Sequence, residues 1–256
     1  MIFIIRIGNN MQELNTELST NSKDRILYSD EHLVIFNKYP GDICESYTKE
    51  SRLDKNFYVP EIVKKNLDKN TDFCQCFNRL DRPVSGANIL LFNQKIFAVL
   101  QNQFTNSQSD KKNVKNIYWA IVEGNLPVSD DFELLEHFIK FDASKQKAYV
   151  SVTEQKKTKK AKLLWRCIGS GTNYSFLEIQ LLTGRTHQIR AQLAKIGLHI
   201  KGDVKYGARR QDTLGGIRLH ARSIEFIHPI TKKTIFVSAN LPVIDPLWQA
   251  FLDVKK

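Results

Sequence analysis

Long apolar runs are missing from this chain: none approaches the roughly 20 residues a helix needs to cross a bilayer, so a helical membrane protein is not expected. The opening Met1-Ile2-Phe3-Ile4-Ile5-Arg6-Ile7 is apolar but short. It has no charged stretch before it and no small-residue cleavage site after it, so it does not read as a secretion signal. Cysteine is scarce, with Cys44, Cys74, Cys76 and Cys167 only, which argues against a disulfide-stapled secreted scaffold. Cys74-Gln75-Cys76 is too tightly spaced for ordinary metal ligation, and no second Cys or His pair completes a site. Reduced thiols in a cytoplasmic protein without a metal are the expectation. Neither GxGxxG nor GxxxxGK[ST] occurs, so nucleotide-phosphate cradles are not indicated. Acidic residues are also in deficit. Lys and Arg outnumber Asp and Glu by 38 to 27, a net charge of +11, which points to a polyanionic partner, nucleic acid before anionic membrane.

What is present is enough for a core: 256 residues, 42% of them apolar, fit one large domain or two small ones. Polar residues 8–24 read as a lead-in arm, so we divide the chain into an arm over 1–25 and a domain over 26–256. Strands are expected at 26–28, 33–36, 88–92, 116–122, 148–152, 161–168 and 174–182. Another is expected at 217–221, before a last hairpin of 223–227 with 234–239. Helices are expected at 61–70, 94–104 and 185–196, with a short amphipathic tail at 246–254 and a charged turn around Asp110-Lys111-Lys112. Many hairpin-linked strands with few helices between them predict an α+β fold: a mixed, mainly antiparallel sheet with a few flanking helices.

Two polar constellations stand out. In Asn78-Arg79-Leu80-Asp81-Arg82-Pro83-Val84-Ser85-Gly86 an acid lies between two arginines, and a guanidinium within a few ångströms favours the charged carboxylate. That state suits a carboxylate that attacks carbon and equally one that ties a turn together; taken alone, the stretch reads as a structural ion pair. Thr183-Gly184-Arg185-Thr186-His187-Gln188-Ile189-Arg190 is basic just where a strand hands over to a helix. Cations at a helix N-terminus oppose the macrodipole and call for an anion to meet. Arg185 therefore reads as a functional ion-pair residue, and His187 as a polar cap on the turn. Residues 140–162 carry eight lysines against Asp142 and Glu154, which fits a solvated loop or an RNA contact equally well.

Together these stretches resemble the RluA-type RNA pseudouridine synthases. The likeness is carried by Ile26–Lys38, Arg79–Gly86, Tyr118–Gly124, Thr183–Arg190 running on to Gly202-Asp203 and Tyr206-Gly207, and Leu219-His220-Ala221 with Phe226–Pro229. It spans roughly residues 26–245, with separate motifs in the right order. It implies an isomerase of structured RNA, rRNA or tRNA, acting as a monomer with no metal or redox cofactor. It implies that Asp81 attacks the uridine while Tyr118 stacks on the base and helps with the C5 proton. Arg185 pairs with Asp81 in that reading, and Leu219 packs under the base. Arg79, Arg82 and His187 complete the expected substrate-binding set, one flanking arginine facing RNA and the other the fold.

There are departures from the family pattern. Asn78 replaces the usual His and cannot titrate, so a structural role is expected there. Lys38-Tyr39-Pro40-Gly41 replaces Lys-Pro-x-Gly, and the arm before Ile26 is too short for the small RNA-binding domain that many relatives carry. The alternatives are an inactive RNA-binding protein of the same fold and a glycoside hydrolase. The latter ordinarily needs two acids flanking one bond, and no second acid sits in these motifs.

Overall fold

In the computed structural model, residues 22–45, 55–106 and 114–255 are described; most of the expected arm and the turn at Asp110-Lys111-Lys112 lie outside them. The β-branched and aromatic runs form one 11-stranded sheet. Its strands are β1 (Ile26–Ser29), β2 (Leu33–Lys38), β3 (Gln75–Cys76), β4 (Ser85–Leu91), β5 (Val114–Glu123), β6 (Glu133–Asp142), β7 (Lys147–Ser151), β8 (Lys159–Ser170), β9 (Tyr174–Leu181), β10 (Leu219–Ile227) and β11 (Thr234–Ser238). The spatial order is β1-β2-β4-β10-β5-β9-β8-β6-β7, with β3 added to β4 and β11 to β10. Four helices accompany it among the described residues: α1 (Val59–Leu67), α2 (Gln94–Asn106), α3 (Gln188–Lys195) and α4 (Pro246–Val254). This is the α+β, mainly antiparallel architecture expected.

β2 and β4 are buried along their whole length, with hydrophobic clusters on both faces, which is why Leu33–Phe36 and Ile89–Leu91 read as unbroken apolar runs. β8 has one buried face and therefore alternates from Ala161 onward. α4 lies across the far side of β5 and β9, where Trp248 and Phe251 pack with Trp119, Ile121 and Phe176. The expected strands at 217–221 and 223–227 are one strand, β10. The expected map left 125–139 empty, but β6 occupies part of it. Its sequence, Glu-Leu-Leu-Glu-His-Phe-Ile-Lys-Phe-Asp, lacks a clean period of two, and pairing with β7 and β8 supplies what local propensity does not. Arg25, just before β1, is part of the domain: it is buried against the rings of Phe36 and Tyr39, donates to Asn37 O at 3.0 Å and pairs with Asp42.

The parallel contact in the middle of the sheet sets the site. β4 meets β10 in parallel only at Ser85–His220 and Gly86–Ala221. Gly86 has φ +115°, and a Cβ there would lie 2.3 Å from Ala221 O, so only glycine lets the strands close. On the opposite side of the same crossing, Ser85 Oγ and His220 Nδ1 are 2.8 Å apart, and His220 Nε2 lies 3.1 Å from Ala239 O. A carbonyl only accepts, so Nε2 carries the proton and Nδ1 accepts from the serine. The loop leading into β4, which bears Asp81, is thereby held next to β10 and β5.

Candidate active site

The Asp81 loop is tied down at several points. Asn78 Nδ2 donates to Ala87 O at 2.9 Å and its Oδ1 accepts from Ile89 N at 2.6 Å, the structural role expected of a residue that cannot titrate. Lys38 is completely buried, and its Nζ donates to Val84 O at 2.6 Å and to Arg82 O and Tyr39 O at 3.1 Å each. Burial holds its ammonium below the ordinary lysine range, opposed by the nearby Cys44, Asp42 and Asp81. Ile217 N donates to Pro83 O at 3.1 Å, and Val84 N to Asp81 O at 3.0 Å. The turn is thus fixed from β2, β4 and the segment before β10.

The carboxylate of Asp81, 19% exposed, accepts from Arg190 Nη1 at 2.9 Å. Arg190 is buried on the first turn of α3 and also grips Asp203 with two bonds, Nε to Oδ2 at 2.7 Å and Nη2 to Oδ1 at 2.8 Å. One guanidinium thus bridges two carboxylates in the forked geometry that arginine allows. Burial disfavours its charge, but the Asp203 hydrogen bonds and the charge of Asp81 outweigh that and raise its pKa above the usual value. Beneath it lies the Tyr206 ring, 4.9 Å from the guanidinium carbon.

His187 is the second neighbour. Its Nε2 is 3.7 Å from Asp81 Oδ2, too far for a hydrogen bond, and its Nδ1 is 2.8 Å from the Tyr206 hydroxyl. That hydroxyl also accepts from Ala148 N at 2.7 Å, so Tyr206 ties the imidazole to β7 and holds its Nε2 edge towards Asp81. Burial pushes the imidazole pKa down; Asp81 pulls it up, and the Arg190 charge adds to the decrease. His187 is the residue before α3 and sits at φ 55°, a left-handed backbone in which histidine is several-fold enriched among the few non-glycine residues found there.

The apolar side of the site comes from β5 and β10. Tyr118 lies opposite Ala221, and Leu219 opposite Ala120, so all four side chains share one face and one cluster with Leu80. The Tyr118 phenol is raised well above the ordinary tyrosine value by burial, then by the charge of Asp81, and is protonated at neutral pH.

The expected pairing of Arg185 with Asp81 is overturned. Arg185 Nε donates to Lys160 O at 3.0 Å, and the partner of Asp81 is Arg190. The physical reason is where the helix begins. Gln188 accepts from Arg185 N at 3.0 Å and from Thr183 Oγ1 at 2.8 Å, and its Nε2 donates to Lys162 O at 3.0 Å. These bonds keep residues 183–187 as a turn and start α3 at Gln188, not Arg185. The first-turn cation is therefore Arg190.

Arg79 and Arg82 are both exposed: Arg79 pairs with Glu45, and Arg82 Nε donates to Gly41 O at 3.3 Å. Neither reaches Asp81 in these bonds. The structure brings Asp81, Tyr118, His187 and Leu219 around one site and adds Arg190, Asp203, Tyr206 and Lys38, which were read in the motifs but given no role there. The signal for Arg190 was its spacing from a correctly placed helix start; buried Asp203 had no local signal.

The chain is similar to known proteins over most of its length. The family described as RNA pseudouridylate synthase matches residues 32–195. A tRNA pseudouridine synthase C of Vibrio cholerae is 30% identical over 245 residues, covering 89% of this chain and 93% of that one. A ribosomal large subunit pseudouridine synthase C of Buchnera aphidicola is 30% identical over 245 residues, covering 93% of this chain and 73% of that one. Among solved structures, human RNA pseudouridylate synthase domain containing 4 shares the fold, with a TM-score of 0.66 and 19% identity over 95% of this chain and 97% of that one. An acid anchored by a helix-borne arginine beside a buried tyrosine, on a sheet of this topology and with these relatives, means that the chain belongs to the RluA-type RNA pseudouridine synthases, enzymes of the isomerase class.

Proposed function

We propose that the chain converts uridines of structured RNA, tRNA or rRNA, to pseudouridine, with Asp81 as the attacking carboxylate. The observation that carries this reading is the Asp81 carboxylate, held by Arg190 at 2.9 Å on the face that Tyr118 and Leu219 line. The relatives' names supply the two RNA classes, tRNA for the Vibrio protein and the large ribosomal subunit for the Buchnera protein.

The isomerisation breaks the bond from C1′ to N1 and makes one from C1′ to C5; the C5 proton leaves to solvent and N1 takes up a proton in exchange, so the RNA keeps the same atoms. It needs a persistent carboxylate, a dry shelf for the freed base and no change of oxidation state. Arg190 aims the Asp81 carboxylate, and Asp203 keeps Arg190 in place. Leu219 supports the base from below, while the Tyr118 ring stacks on it and its hydroxyl assists departure of the C5 proton. A base paired within RNA must first be flipped out, which costs a few kcal/mol that stacking and edge hydrogen bonds offset. The net charge of +11 favours phosphate binding and makes affinity fall with salt.

The test is tritium release from RNA carrying C5-labelled uridine. Asp81→Asn is expected to abolish release while RNA binding persists within a few-fold. Release by Asp81→Ala at the native rate would sink the assignment of the nucleophile.

A further inference from the structure

Strands β6, β7 and β8 form a wing whose two faces differ. The inner face carries Ile139, Ala148 and Ala161, which pack against Ala191 of α3 and against Tyr206, next to the active site. The register then fixes what the outer face presents. Lys140 lies opposite Tyr149, Phe138 lies opposite both Ser151 and Lys160, and Glu136 lies opposite Lys162. Tyr149 is 45% exposed, Lys140, Glu136 and Lys160 are exposed, and Phe138 and Lys162 are partly so. Tyr149 and Phe138 are diagonal neighbours on adjacent strands, a spacing of about 7–8 Å that long and aromatic side chains bridge.

We propose that this outer face, centred on Tyr149 and Phe138, is a second RNA-binding surface that holds a single-stranded stretch outside the catalytic site. Two bases stack on the two rings, and Lys140, Lys160 and Lys162 meet the phosphates. Aromatic side chains on adjacent strands, with cations between them, are how sheet surfaces take single-stranded RNA, because every base offers a π-face. The lysines point away from a protein partner, since lysine is depleted in protein interfaces while aromatic residues are enriched. Glu136 bonds Lys160 at 2.5 Å and Lys162 at 2.6 Å, holding both ammonium groups over the face, and Lys140 lies on the same strand as Glu136. The surface rests on the reading of the chain as an enzyme that acts on RNA. It lies on the opposite side of the wing from Tyr206 and α3, so it extends the footprint without adding to the chemistry.

The experiment is fluorescence anisotropy with a labelled single-stranded cytidine 10-mer, which offers the active site no uridine, over a series of salt concentrations. Tyr149→Ala is expected to weaken binding about tenfold and Tyr149→Phe to leave it near the native value, since only the ring stacks. Lys140→Ser is expected to lower the slope of log affinity against log salt by roughly 0.7, one phosphate contact on a single strand. Equal affinity of native protein and Tyr149→Ala overturns the proposal and leaves the face to a protein partner; failure of the native protein to bind the 10-mer overturns it too. Tritium release from uridine RNA, measured on the same preparations, fails separately if the isomerase reading is what is wrong.

Discussion

Arg190 gives the sharpest link between stability and chemistry in this molecule. It makes three charge-assisted bonds of 2.7–2.9 Å, two to Asp203 and one to Asp81. Asp203 has 2% of its side chain exposed, and both its oxygens accept from Arg190. Arg190→Met therefore leaves a buried carboxylate without its cation, a loss of about 3–5 kcal/mol. For a domain of this size that corresponds to a fall in Tm of roughly 10 °C, and thermal unfolding followed by circular dichroism reads it directly. Asp81, 19% exposed, regains some solvation, so most of the penalty belongs to Asp203. The double variant Arg190→Met with Asp203→Leu removes both buried charges and is expected to recover most of the lost Tm, because a buried ion pair adds little net stability over an apolar pair. Tritium release from C5-labelled uridine RNA should stay lost in both, since Asp81 has no anchoring partner in either. A single variant that melts within about 2 °C of native, or a double variant that regains activity, would refute the argument that Arg190 serves Asp81 through a buried bridge.

Two further outcomes follow from the β4–β10 crossing. Gly86→Ala puts a methyl 2.3 Å from Ala221 O at φ +115°, and it is expected to cost at least about 3 kcal/mol and to yield largely insoluble protein, checked by soluble expression and urea unfolding. His220 is fully buried, and burial lowers its pKa from 6.5 to about 4. The folded state therefore stays neutral while the unfolded chain takes up a proton below about pH 6.5, so stability falls as pH drops from about 6.5 towards 4, by up to about 3 kcal/mol. His220→Gln, which keeps a donor for Ala239 and an acceptor for Ser85, is expected to flatten that part of the curve in urea unfolding at a series of pH values. An unchanged slope would show that His220 does not carry it.

Much of this molecule could be read along the chain, because the physics involved was local. Unbroken apolar runs at Leu33–Phe36 and Ile89–Leu91 announced strands buried on both faces, and the stripe of Ile96, Phe97, Leu100 and Phe104 announced α2. Asp81 between two arginines, and a basic stretch at a strand-to-helix junction, marked both halves of the site before any contact was known. What the chain could not reveal was which cation serves which anion. Arg79 and Arg82 are nearest to Asp81 in sequence, yet they bond to Glu45 and Gly41. The partner is Arg190, 109 residues away. That choice depends on where α3 starts, and its start depends on Gln188 reaching Lys162 on β8. The placement of the His187 ring is likewise set by the Tyr206 hydroxyl, itself bonded to Ala148 N, from two other segments. Strand and helix signals live in spacings of two to four residues, and the sequence determined those. Ion pairs and hydrogen bonds between distant segments depend on how the sheet closes, and only the tertiary structure decided them.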